Sequence, residues 1–271
     1  MKEVALGQTK TTVPIIGLGT ARYFGGRNVL ALGVRAGLRL IDTAESYNAT
    51  GDKPGHTEAL VGSEIATVHE QAFVATKISP QNLSCDKVPV HARASAARLR
   101  VSTIALYQIH APNSGIPILE TMAAMERLVD EGIVQHIGVS NFSSDQLKEA
   151  LDVMRSHPIV SNQIRYNLFE RSVATDVLET CRESGVTVIA HTPLAMANFD
   201  RFPGASLLHE LSHSLHRPPA HIMLTWLVSQ ENVIAIPKTD RPERVAELST
   251  ATDWIMEPHV REILDQCGCS S

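Results

Sequence analysis

The sequence predicts an α/β fold, a single-domain (β/α)8 TIM barrel spanning residues 1–271, with an N-terminal hairpin and a short C-terminal tail. Three observations predict it. Short apolar runs alternate strictly with helix-length segments, which argues for parallel strands joined by crossover helices. The alternation runs to eight units over roughly 250 residues, the size of one closed barrel. Gly17-Leu18-Gly19 lacks a third glycine at the spacing of the dinucleotide fingerprint, so the rival open doubly wound sheet loses its main sequence support.

The elements follow in order. Residues 3–12, with Gly7-Gln8 between two short segments, predict a small hairpin capping one end of the core. Residues 13–20 form the first barrel strand. A helix over 28–36 stops at Gly37, a residue type that commonly closes helices. Then come strand 38–44, helix 57–67, strand 73–77, helix 87–100, strand 104–110 and helix 117–130, ended by Gly132. Strand 133–141 leads to helix 144–155, with Ser144 and Asp145 at its cap. Strand 159–165, helix 173–184 and strand 186–190 continue the pattern. A connection over 195–206 precedes helix 218–229. Strand 233–238, helix 241–250 and a last helix over 257–266 complete the chain.

Composition narrows the function classes. A net charge of −5 with scattered basic residues gives no electrostatic footprint for nucleic acid. No apolar stretch has the length of a membrane span, and the N-terminus lacks the basic start and apolar core of a signal peptide. A cytoplasmic protein, monomeric or a small homo-oligomer, is the expectation. Cys85 and Cys181 read as reduced thiols, and Cys267 and Cys269 are too close for an easy disulfide. The Asn48, Asn82 and Asn141 triplets then carry no glycan.

The strand ends carry the chemistry. Asp42, Lys77 and His110 each follow an apolar run, separated by about one strand-helix unit. Ser140-Asn141, Gln163, His191-Thr192 and Lys238-Thr239 close four later strands in the same way. A lone polar strand end is most often a loop hydrogen-bonder, but packing does not explain this many in register. In a barrel such groups meet at the carboxyl ends of the strands. Tyr47 falls in the loop after Asp42. An ammonium at Lys77 favours its phenolate and lowers its pKa, and Asp42 keeps Lys77 charged. His110 donates to a carbonyl oxygen while Tyr47 supplies a proton. None of these side chains can deliver hydride, so a cofactor is required.

Several stretches together resemble the aldo-keto reductase superfamily over the whole chain. They are 16–20 (IGLGT), 41–44 (IDTA) with Tyr47, 75–77 (ATK), 107–110 (YQIH), 132–142 (GIVQHIGVSNF), Asn162-Gln163 with Tyr166-Asn167, and 236–238 (IPK) with 241–244 (RPER). The resemblance implies a catalytic tetrad of Asp42, Tyr47, Lys77 and His110. It implies that Ser140, Asn141 and Gln163 hold a nicotinamide amide, and that an extended NAD(P)H lies across the barrel mouth past Gly19, Thr20, His191, Thr192 and Leu194. Lys238, Thr239 and Arg244 sit where the family grips a 2′-phosphate, so NADPH is favoured over NADH. The expected activity is reduction of an aldehyde or ketone to an alcohol.

The chain departs from the family pattern at three points. His191 replaces the usual aromatic stacked on the nicotinamide, Leu248 replaces an asparagine near the adenine, and the C-terminal loop is short. An open, shallow substrate pocket is therefore expected, lined by Tyr23, Phe24, Tyr47, Ile78, Ala111, Pro112 and Asn113. His209-Glu210-Leu211-Ser212-His213 spells the zinc-protease motif, but it is read as a polar helix surface because no suitably spaced third ligand follows. Two other readings stay open. One is a sugar- or pyridoxal-type alcohol dehydrogenase. The other is a non-catalytic NADPH-binding regulatory subunit, like the channel-associated β-subunits of the superfamily.

Overall fold

A computed structural model describes residues 1–48, 53–171 and 175–267. An antiparallel hairpin opens the chain, β1 (Glu3–Ala5) with β2 (Thr12–Pro14). Eight parallel strands follow: β3 (Leu18–Gly19), β4 (Leu40–Asp42), β5 (Phe73–Ile78), β6 (Ile104–Ile109), β7 (Val134–Ser140), β8 (Ile159–Arg165), β9 (Thr187–His191) and β10 (Val233–Ala235). They pair in sequence order. The sheet closes where Ile16 bridges Ala235 in parallel: Gly17 N donates to Ala235 O at 2.8 Å and Gly19 N to Pro237 O at 2.9 Å. Closure brings two backbones together at Gly19, where a Cβ would lie 2.8 Å from the Ile236 carbonyl oxygen. Only glycine fits there.

The helices cover the outside: α1 (Val29–Arg35), α2 (His56–Glu64), α3 (Lys87–Leu99), α4 (Ile118–Asp130), α5 (Ser144–Val153), α6 (Thr175–Glu183), α7 (Ala205–Ser214), α8 (Pro219–Val228), α9 (Pro242–Thr250) and α10 (Pro258–Gln266). Gly37 takes φ 91 after α1, a conformation a Cβ would disfavour.

Two apolar clusters result from the period-2 alternation of the strands. One packs strands against helices and includes Ile41, Val74, Tyr107 and Val139. The other joins Leu40, Phe73, Ala75, Leu106, Ile189 and Ile234 inside the barrel, and Leu6 and Val13 of the hairpin region plug it from below. Two residues further along the same face come Asp42, Lys77, Gln108 and His191. Each strand thus carries apolar groups at the closed end and polar groups at the open end.

Three local expectations are corrected. Val13 and Pro14 pair in the hairpin, so the first barrel strand is much shorter than 13–20. The cap of α5 is Ser143, in a capping box with Gln146, because Ser143 is the residue that keeps extended backbone (φ −69, ψ 171). The connection after β9 holds an additional helix, α7, carrying both histidines of the zinc-protease motif. His209 there pairs with Asp200, and no metal-binding group of side chains occurs among the described residues. Cys267 is buried against Gly204. Cys269 and residues 173–174 of the expected sixth helix lie outside the described residues. No described helix is long and apolar enough to cross a membrane.

Candidate active site

β4 and β5 run side by side, with Asp42 paired to Ala75, so the side chain of Lys77 reaches across to the carboxylate. Lys77 Nζ donates to Asp42 Oδ1 at 2.8 Å, to Oδ2 at 2.7 Å and to the Thr43 carbonyl at 2.8 Å. Lys77 is 0% exposed and Asp42 2%. An ammonium out of water is tolerated only with such partners. Burial opposes the charge on Lys77, yet the Asp42 carboxylate and the Tyr47 hydroxyl together outweigh it and raise its pKa. Gln163 Nε2 adds a 2.7 Å bond to Asp42 Oδ1 from across the barrel.

The same ammonium stands 3.4 Å from the Tyr47 hydroxyl and 5.0 Å from the centre of its ring. The tyrosine pKa moves opposite to the expectation. Burial raises it, Lys77 lowers it, Asp42 raises it again, and the net direction is up. The sequence reading counted the ammonium without the desolvation of the phenolate. The His110 ring meets Tyr47 edge-on at 5.6 Å between centroids. Burial, then the Lys77 charge, depresses the His110 pKa to about 4, so the ring is neutral at pH 7. Its Nδ1 lies 3.2 Å from Ser46 Oγ. If the serine donates there, the ring hydrogen sits on Nε2.

A cavity of about 670 Å³ opens above these groups. Asp42, Tyr47 and His110 form its floor with Ser140, Asn141 and Gln163. Asn141, at φ 60, donates to the His110 carbonyl at 2.9 Å and to Ser140 Oγ at 3.0 Å. His191 lies 3.0 Å from Thr192 Oγ1 through Nδ1 and 3.4 Å from Asn141 Oδ1 through Nε2. Burial, with Lys77, lowers its pKa to about 4 as well. Gly19, Thr192, Leu194 and Lys238 line the cavity too.

Other expected site residues stand elsewhere. Thr20 is fully buried and its hydroxyl donates to the Asp42 carbonyl at 2.8 Å, which fixes the first strand end to β4. Tyr23 and Ile78 are 0% exposed and belong to the core, not the pocket wall. Tyr23 places its hydroxyl on Glu64 at 2.7 Å. Ala111, Pro112 and Asn113 do not line the cavity, and Asn113 braces its own loop by donating to the Pro80 carbonyl. Phe24 is exposed beneath the Lys238 ammonium, 5.8 Å from its ring centre. Thr239 accepts from Arg241 N at 3.0 Å, and Arg244 pairs with Glu247; neither lines the cavity.

The structure adds wall residues the sequence reading missed: Ala21 and Arg22 on one side, Pro193, Met196 and Ala197 on the other. Arg22 and Met196 both take φ 60. Their signal was position alone, since loops after barrel strands build the site; the left-handed backbone that aims them is not written in their residue types.

The model of the Aldo/keto reductase family matches residues 16–267. The chain belongs to that family. A methylglyoxal reductase of Escherichia coli, YeaE, is 31% identical over 84% of this chain and 81% of its own length. An uncharacterized oxidoreductase of Mycobacterium tuberculosis, Rv2298, is 28% identical over 90% and 82%. Among solved structures, the thermostable aldo-keto reductase Tm1743, in complex with the inhibitor epalrestat, aligns with a TM-score of 0.90 at 34% identity, covering 99% of this chain and 100% of that one. A Klebsiella pneumoniae aldo-keto reductase in complex with NADPH aligns at 0.87 and 28%, covering 98% and 95%. As a member of this family the chain is an enzyme, an oxidoreductase on a (β/α)8 barrel.

Proposed function

We propose that this aldo-keto reductase uses NADPH to reduce a small aldehyde or ketone, with Tyr47 as proton donor. The observation that carries the reading is the buried Lys77 ammonium, shared between the Asp42 carboxylate and the Tyr47 hydroxyl. The raised pKa keeps Tyr47 a phenol at neutral pH. As negative charge develops on a carbonyl oxygen, the phenol releases its proton and the phenolate forms beside the ammonium. Neutral His110 donates to the same oxygen through Nε2.

The cavity suits a dinucleotide. At one end, the hydroxyl hydrogen of Ser140 and Oε1 of Gln163, neither with a partner among the described residues, offer the donor and acceptor that a carboxamide requires. At the other, Lys238 on the cavity wall holds Asp240, and beyond the wall Arg244 holds Glu247. Exposed pairs of this kind are worth only about 0–1 kcal/mol, so both cations can turn to a phosphate at small cost. Arg22 on the wall carries no such counter-charge among the described residues. When bound, NADPH supplies the hydride that no side chain can. The rim residues Ala21, Arg22 and Ala197 are exposed, so the mouth of the cavity is open to solvent. Methylglyoxal is the first substrate to assay, because the YeaE relative reduces it by name.

Calorimetric titration with NADPH and NADH tests the cofactor assignment. The expected result is tighter NADPH binding, weakened about tenfold (~1.4 kcal/mol) by Arg244→Ala with little change for NADH. Equal or tighter binding of NADH overturns the phosphate assignment.

A further inference from the structure

Glu45 lies between Asp42 and Tyr47 and has no part in the chemistry above. It is 5% exposed, with a carboxylate fully occupied by neighbours from two other segments. Ser79 N donates to Oε1 at 2.7 Å and Asn82 Nδ2 to the same oxygen at 2.9 Å. His91 Nδ1, from α3, meets Oε2 at 2.7 Å. Burial pushes the carboxyl up, but these hydrogen bonds outweigh it and hold it below its ordinary value. A buried carboxylate with three donors is an ordered, directional joint.

The joint's placement connects it to the site. Ser79 is two residues beyond Lys77, and Tyr47 is two residues beyond Glu45. The Glu45 backbone makes the same connection, its N–H donating to the Lys77 carbonyl at 3.1 Å and its carbonyl accepting from Gly55 N at 2.6 Å. One side chain therefore ties the loop that carries the phenol to the loop that follows the ammonium. The Lys77 to Tyr47 separation of 3.4 Å depends on how these loops sit together.

We propose that Glu45 is a positioning residue for the reaction: through Ser79, Asn82 and His91 it fixes the approach of the Tyr47 hydroxyl to the Lys77 ammonium. This rests on the reading of Tyr47 as proton donor. Displacement of a reacting group by about 1 Å costs up to ~10²-fold in rate. A loosened joint should therefore lower kcat and leave cofactor binding alone, because Glu45 does not line the cavity.

The test uses the full chain and compares wild type, Glu45→Ala, Glu45→Gln and Tyr47→Phe. For each we would measure kcat, KM for methylglyoxal, the isotope effect with hydride-deuterated NADPH, the NADPH Kd and the melting temperature. Glu45→Ala should lose about 10²-fold in kcat with a Kd within about twofold of wild type and a larger isotope effect, as the chemical step becomes limiting. Glu45→Gln keeps an oxygen for Ser79 and Asn82 and should recover about tenfold of that loss. It also serves as the test variant if Glu45→Ala does not fold. A lowered melting temperature with wild-type kcat and isotope effect, or an equal loss of NADPH binding, overturns the proposal. Wild-type turnover by Tyr47→Phe refutes the donor reading itself. An inactive Tyr47→Phe beside a wild-type-like Glu45→Ala refutes only the role of Glu45.

Discussion

Lys77 is a lysine with no contact with water, and its neighbours show why it is kept. Replacing a buried ion pair by apolar residues is often harmless, whereas removing one partner strands the other at about 3–5 kcal/mol. Lys77→Met is thus expected to abolish turnover and to lower stability by about that amount in urea denaturation, since Asp42 would keep only amide partners. The two cavity histidines give the site a pH dependence. Their folded-state pKa values, about 4 for each, lie below the ~6.5 of the unfolded chain. Between those values the unfolded state binds more protons, so stability rises with pH. Urea midpoints should fall as pH drops from about 6.5 toward 4, and His191→Gln should flatten part of the slope. At this scale Asp42, Lys77 and His110 were legible because polar residues end several apolar strands in register, which packing does not explain. The direction of the Tyr47 shift was not legible, because it depends on how much water burial removes. Nor was Glu45, whose partners come from segments with no sequence signal linking them to it.

At the scale of elements, helix-to-helix packing sets strict limits. On α2, a Cβ at Gly62 would meet the backbone of α3 at Arg98 and Leu99, 2.6 Å away. Backbone cannot rotate aside, so Gly62→Ala should cost about 1–3 kcal/mol, read as a lowered melting temperature. The strands β5, β6 and β8 stood out in the sequence because they are buried on both faces and rich in β-branched and aromatic residues. The first barrel strand was overread, since Val13 and Pro14 look the same whether they pair with the hairpin or the barrel. Helix α7 was read only as a polar helix surface at 209–213 and not as a separate element, because Pro203 and Gly204 stand just before it and five of its ten positions are histidine or serine.

For the whole molecule, closure of the sheet at Ile16 and Ala235 turns a list of strand ends into one site. It brings Gly19 of β3 and Lys238, just beyond β10, to the same cavity as His110 and Gln163. Barrel and family were readable from order and spacing; the cavity wall was not, because loop backbone decides it. Ile78 sits next to Lys77 in sequence yet points into the core, while Met196, far from any motif, stands at the cavity rim. The measurement that tests the central claim most directly is NADPH consumption with methylglyoxal by wild type and Tyr47→Phe, with NADPH binding followed calorimetrically in both. The structure predicts turnover by wild type, a loss of at least about 10²-fold in the variant, and unchanged cofactor affinity. Turnover by Tyr47→Phe near the wild-type rate would contradict it.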